Sequence, residues 1–151
     1  MTYNVVIPLA GYGKRFKKSG YRTLKPFLKV DSKNLMLDLI LNNFPEKTKK
    51  VFIVRKNIEK KYINTLRKYK NSEIVFIKPH NLGPLYSLFL ARYKLNKLKN
   101  IFISYCDIHW EWNKFKLTNL NSNIIFCFKG WHPFTVDNNN YAFCKNKNNK
   151  F

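Results

Sequence analysis

Short apolar runs recur along this chain at 3–9, 50–55, 73–78, 100–105 and 123–128, each bounded by polar turns. Runs of that length suit buried strands better than helices. Helical patterns lie between them. Asp31 or Ser32 is placed to cap a helix reaching about Asn43, with Leu35, Leu39, Ile40 and Phe44 among its apolar positions. Ile58, Tyr62, Ile63, Leu66 and Tyr69 share one face of a helix from 57 to about 70. Gly83-Pro84 opens a third helix reaching about Leu95, because proline is tolerated in a first turn. Repeated strand–helix–strand order requires a mostly parallel sheet covered on both faces. Ligands of such sheets bind at the carboxyl ends of the strands. The loops that follow the first and fourth runs are therefore where chemistry is expected.

The first of those loops is unusual in composition. The run ends in Leu9-Ala10-Gly11-Tyr12-Gly13, Arg15 follows at once, and Lys25-Pro26 lies further along. Small residues at 10, 11 and 13 let backbone N–H groups approach an anion that a larger side chain would hold away. Two cations in the same loop suit a triphosphate. A dinucleotide-binding turn would need a third glycine where Phe16 stands, and a P-loop would need Ser or Thr where Arg15 stands. An ordinary strand–turn with solvated lysines would use the same residues.

Size and charge narrow the classes further. At 151 residues the chain fits one domain spanning 1–151, and 45% hydrophobic with 17% aromatic content argues for a packed core over disorder. No apolar run reaches the roughly 18 residues of a membrane span. The N-terminus also lacks a secretory pattern, so a cytoplasmic protein is expected. Cys106, Cys127 and Cys144 are odd in number and lack metal spacing, which argues against a disulfide framework or structural zinc. The net charge of +21 comes from lysines scattered over every predicted helix and loop. A nucleic-acid interface would gather them into one stripe. The chain is also rich in Asn, Ile, Phe and Tyr, the bias of an AT-rich coding sequence, so the charge reads as background that recruits phosphorylated ligands.

Only eight carboxylate side chains are present, so any metal ligand comes from a short list. Asp31 and Asp38 fall at a helix start and within that helix, and Glu46, Glu59 and Glu73 on surface-type turns or helices. Asp107 alone follows directly on an apolar strand. A carboxylate there is costly unless it is paired with a lysine, caps a turn or holds a metal. Glu111 and Asp137 are weaker candidates. His80, His109 and His132 share no metal spacing, and Trp110, Trp112 and Trp131 suit a base-stacking platform or a core equally.

The chain resembles the sugar-phosphate nucleotidyltransferase family, whose signature loop matches Leu9-Ala10-Gly11-Tyr12-Gly13-Lys14-Arg15-Phe16 with Lys25-Pro26. It looks most like a branch associated with capsule and surface-polysaccharide synthesis. Pro79-His80-Asn81-Leu82-Gly83-Pro84, Tyr105-Cys106-Asp107, Gly130-Trp131-His132-Pro133 and Asn140-Tyr141-Ala142 carry that likeness, in the expected order along nearly the whole chain. The resemblance implies a Rossmann-like α/β/α fold and a magnesium-dependent enzyme acting on a nucleoside triphosphate and a sugar 1-phosphate or similar phosphorylated acceptor. It implies that Leu9, Ala10, Gly11, Gly13 and Gly83 hold the nucleotide. Arg15 and Lys25 would contact its phosphates as the catalytic cations, Asp107 would bind Mg2+, and His132, Asn140 and Tyr141 would lie near the acceptor.

Family members typically continue past the equivalent of Phe151, in a part that supplies more of the acceptor site and a second carboxylate. The expected domain is thus incomplete at its C-terminus. A nucleotide-binding module without turnover is the alternative reading, and a basic nucleic-acid-binding protein a more distant one. A homo-oligomer is compatible with the sequence, and neither the base nor the acceptor is readable from it.

Overall fold

A computed structural model describes residues 3–108, all within the first of the two units (Met1–Phe115) into which the chain divides. The apolar run at 123–128, the acids Glu111 and Asp137, and the three tryptophans lie outside those residues.

The elements run β1 (Asn4–Pro8), α1 (Lys14–Lys18), a 3-10 turn (Lys25–Phe27), α2 (Met36–Leu41), β2 (Lys49–Arg55), α3 (Lys60–Arg67), β3 (Ser72–Ile77), α4 (Gly83–Leu95) and β4 (Ile101–Ile103). All pairings are parallel and the strand order is β3-β2-β1-β4. This is the expected Rossmann-like α/β architecture. Strands alternate their side chains between two cores. Val5, Ile7, Phe52 and Val54 pack against Leu37, Ile40 and Leu41 of α2 and Tyr62, Ile63 and Leu66 of α3. Val6, Val51, Ile53, Val75 and Ile77 face the other way, toward Ala91 and Leu95 of α4. Before β3 and β4 the chain turns through Asn71 and Asn100 in the left-handed region, which asparagine tolerates better than most residues.

Three local expectations change. Asp31 does not cap α2. Its carboxylate accepts from the backbone N–H groups of Lys33 and Asn34 and from the Asn34 side chain, closing a tight turn. That turn folds back through a Lys29–Leu35 bridge, so α2 begins later. Asp38 does the capping, accepting from the Leu35 N–H at 2.6 Å. Residues 14–18, expected as loop, form α1, with Gly13 before it at φ 64°, a conformation that favours glycine. Glu73 lies in β3 and not on a surface turn or helix.

The order β3-β2-β1-β4 puts the topological switch between β1 and β4, because the chain leaves β3 at one edge and crosses to lay β4 on the far side of β1. Doubly wound sheets bind ligands in the crevice outside such a point. The two loops expected to carry chemistry are the ones that leave β1 and β4 there.

Candidate functional site

Leaving β1, the chain stays anchored through Ala10. Leu9 and Ala10 are buried, and the Leu9 N–H donates to the Ile53 carbonyl at 2.7 Å. From Gly11 the loop is on the surface. Among the described residues, the backbone N–H groups of Gly11, Tyr12 and Gly13 donate to no acceptor. Three successive unspent donors are available to an anion. A Cβ added at Gly11 would meet nothing within 4 Å, so the protein's own packing does not require glycine there.

Arg15 is exposed on α1. Lys25 opens the 3-10 turn, whose Pro26 and Phe27 are buried and fix its position. Phe27 stacks on Tyr62 with ring centroids 4.5 Å apart, and the Tyr62 hydroxyl accepts from the Leu24 N–H at 3.2 Å. The Lys25 ammonium lies 5.1 Å from the centre of the Phe16 ring. Asp107 follows β4 at the same end of the sheet, and Lys25 Nζ donates to its Oδ2 at 2.6 Å. Residues 82 positions apart are thereby joined across the switch point. Beside them, burial, and secondarily the Asp107 charge, push the Cys106 thiol up to about 12. Cys106 is therefore an uncharged packing residue at neutral pH.

Gly83 opens α4 at the carboxyl end of β3, two strands from β1. The motif preceding it is held by His80, whose Nδ1 accepts from the Leu82 N–H at 3.1 Å. That leaves Nε2 to carry the proton and donate to Ser87 Oγ at 3.0 Å. His80 is thus a strut for the start of α4. His109, His132, Asn140 and Tyr141 lie outside the described residues.

Sequence reasoning missed Arg55, the last residue of β2. It is 5% exposed. Its guanidinium donates from Nη1 to the Gly11 carbonyl at 2.8 Å and lies 4.6 Å from the centre of the Tyr12 ring. In sequence Arg55 is a charge closing the apolar run 51–54, and nothing there shows that it lies beside the glycine loop.

Among the described residues no cluster of three or more His, Cys, Asp or Glu side chains could cage a metal. Magnesium usually keeps waters and takes one or two carboxylates plus phosphate oxygens. Asp107 therefore fits a metal that arrives with phosphates, and Lys25 would have to release the carboxylate for it. A groove of about 300 Å³ lined by Asp38, Phe44, Lys50, Tyr69 and Lys70 lies elsewhere. Its polar groups satisfy one another, as in the Tyr69–Asp38 bond at 2.6 Å and the Lys70–Glu46 pair at 2.7 Å.

No protein-family model and no curated protein sequence matches the chain. Among solved structures the chain is similar to a nucleoside-diphosphate-sugar pyrophosphorylase from Vibrio cholerae RC9. The two share 25% sequence identity and a TM-score of 0.57 over 68% of this chain and 47% of that one. The matched region spans about half the length of that protein. The likeness agrees with the fold derived above and with the family resemblance of the loop. No described helix is long and apolar enough to cross a membrane.

Proposed function

We propose that this chain carries the nucleotide site of a sugar-phosphate nucleotidyltransferase. It would move a nucleoside monophosphate from a triphosphate to a sugar 1-phosphate or similar acceptor, in the service of capsule or surface-glycan synthesis. One observation carries the reading: three unspent amides at the switch point, beside a cation and a carboxylate that hold each other. The pyrophosphorylase likeness supports it independently.

In this reading the amides of Gly11, Tyr12 and Gly13 receive phosphate oxygens, and Arg15 neutralises the outer phosphates. Lys25 turns from Asp107 to the phosphate at which the bond changes. An acceptor phosphate oxygen attacks the α-phosphorus while the bond from that phosphorus to the bridging oxygen breaks, and pyrophosphate leaves with that oxygen. Positioning and charge neutralisation supply most of such catalysis, so no side-chain nucleophile is required. A magnesium ion held by Asp107 would add Lewis-acid charge stabilisation. His132, Asn140 and Tyr141 are assigned to the acceptor side on the family resemblance alone.

Calorimetry at physiological salt with CTP, UTP, dTTP, ATP and GTP, with and without magnesium, tests the proposal, with tripolyphosphate as charge control. Magnesium-dependent preference for one base is the expected result. Equal, salt-sensitive binding of all of them, tripolyphosphate included, would reduce the site to the +21 charge of the chain. Arg15→Ala should abolish tight triphosphate binding with no change in melting temperature, because Arg15 is exposed. Unchanged affinity would remove α1 from the site. A second reading, nucleotide binding without turnover, is favoured by Asp107 being the single carboxylate beside the loop among the described residues. A pyrophosphate-release assay with the preferred nucleotide and a panel of sugar 1-phosphates separates the two.

A further inference from the structure

Among the described residues, Arg55 is a buried positive charge with no negative partner. It is 5% exposed, and none of the ion pairs among the described residues includes it. Its Nε is buried and has no hydrogen-bond acceptor among the described residues. A guanidinium keeps its charge on burial, and an uncompensated buried charge costs stability. One carbonyl and one aromatic face, Gly11 and Tyr12, offset part of that cost. Both belong to the glycine loop.

The carbonyl contact has a geometric consequence. No described peptide bond is cis, so the Gly11 carbonyl and the Tyr12 N–H point in opposite directions from one peptide plane. By holding the carbonyl, Arg55 turns that N–H away from itself. The hydrogen bond also polarises the peptide and makes the N–H a stronger donor. An anion received there lies across one peptide unit from the guanidinium, near enough to feel its charge.

We propose that Arg55 is the positioning residue of the loop, and that the polyphosphate of the ligand is its missing counter-charge. The inference rests on the nucleotide reading of the same loop and adds a residue and a cause of affinity to it. Arg55 touches no ligand and acts through the Gly11–Tyr12 peptide.

The test compares wild type, Arg55→Met and Arg55→Lys by thermal melting and calorimetry, using tripolyphosphate and the preferred nucleotide as probes. Arg55→Met should bind both at least about tenfold more weakly, the scale of one lost charge-assisted hydrogen bond. Its ligand-free melting temperature should be unchanged or higher, since an unpaired buried charge has gone. Arg55→Lys, which keeps the charge, should recover most of the affinity. A role in packing alone predicts the reverse, a lower melting temperature with affinity preserved in the folded fraction. That result, or failure of Arg55→Met to fold, overturns the proposal. Wild type binding tripolyphosphate as well as any nucleotide, with loss in Arg55→Met, would sink the nucleotide reading and leave Arg55 as an anion-positioning residue. Wild type binding neither overturns both.

Discussion

The two ends of the sheet treat charge in opposite ways, and strand β2 shows it within seven residues. At its amino end Lys50 is as buried as Arg55 at its carboxyl end, both 5% exposed. The Lys50 ammonium donates to the carbonyls of Glu46 and Thr48, each at 3.0 Å, and to that of Lys70 at 3.4 Å. An ammonium has three protons to give, and here all are placed. Burial lowers the Lys50 pKa, and the nearby Glu46 charge opposes that shift. Around it Glu46 pairs with Lys70, and Glu73 bridges Lys49 and Lys94, each at 2.6 Å. Among the described residues Arg55, by contrast, keeps an unplaced donor, and the loop beside it keeps unspent amides. An end whose buried cation has every proton placed holds a fold together. An end with donors in reserve is ready for a ligand.

Replacing the two buried cations by the same apolar residue is the largest expected effect and the most direct way to break this comparison. Lys50→Met strips donors from three carbonyls at once, and should cost about 3 kcal/mol of unfolding free energy. Arg55→Met should stay within about 1 kcal/mol of wild type, because Gly11 is exposed and water can reach its carbonyl. Urea denaturation of both variants checks the pair. Equal losses would mean that the two cations do the same work, and the distinction between the ends would collapse.

Much of the architecture was legible because it depends on periodicity. The apolar runs locate β1 to β4 to within a residue or two, and α4 has the expected bounds. What failed depends on choices between near neighbours. Asp31 and Asp38 both sit where a cap could form, and only the Lys29–Leu35 bridge decides between them. At the site, Lys25 and Asp107 could each be picked out, but not their direct bond, because 82 residues separate them. Arg55 stayed hidden for a different reason. In sequence it closes a strand like any exposed terminal charge, and its burial becomes visible only when the glycine loop of β1 folds over it.

At the carboxyl end, the Lys25–Asp107 pair sharpens the contrast with a smaller effect. Each partner holds the other away from its proposed ligand, so freeing one should help the other. Asp107→Asn should bind metal-free triphosphate several-fold more tightly than wild type, because Lys25 is released to the phosphates. The same variant should gain nothing from added magnesium. Calorimetry in EDTA and then in excess magnesium reads both. Weaker metal-free binding in Asp107→Asn would mean that Asp107 positions Lys25 for phosphate, and the pair would be part of a finished site.

The smallest effect belongs to the amino end. Hydrogen bonds from Lys49 and Lys94 hold the Glu73 carboxyl below its usual 4.5. A carboxyl whose folded pKa is depressed adds stability that is present above its unfolded pKa and lost as pH falls through the folded one. Glu73 therefore contributes fully at neutral pH, and its contribution drains away below about pH 4.5. Glu73→Gln should lose under about 1 kcal/mol at pH 7, because all three partners keep some solvent contact. Its stability should then converge on that of wild type as the pH is lowered. Chemical denaturation at pH 7, 5 and 3.5 would show this convergence. A gap that stays constant to pH 3.5 would place the Glu73 contribution in packing between β3 and α4, and the amino end would no longer owe its stability to placed charge.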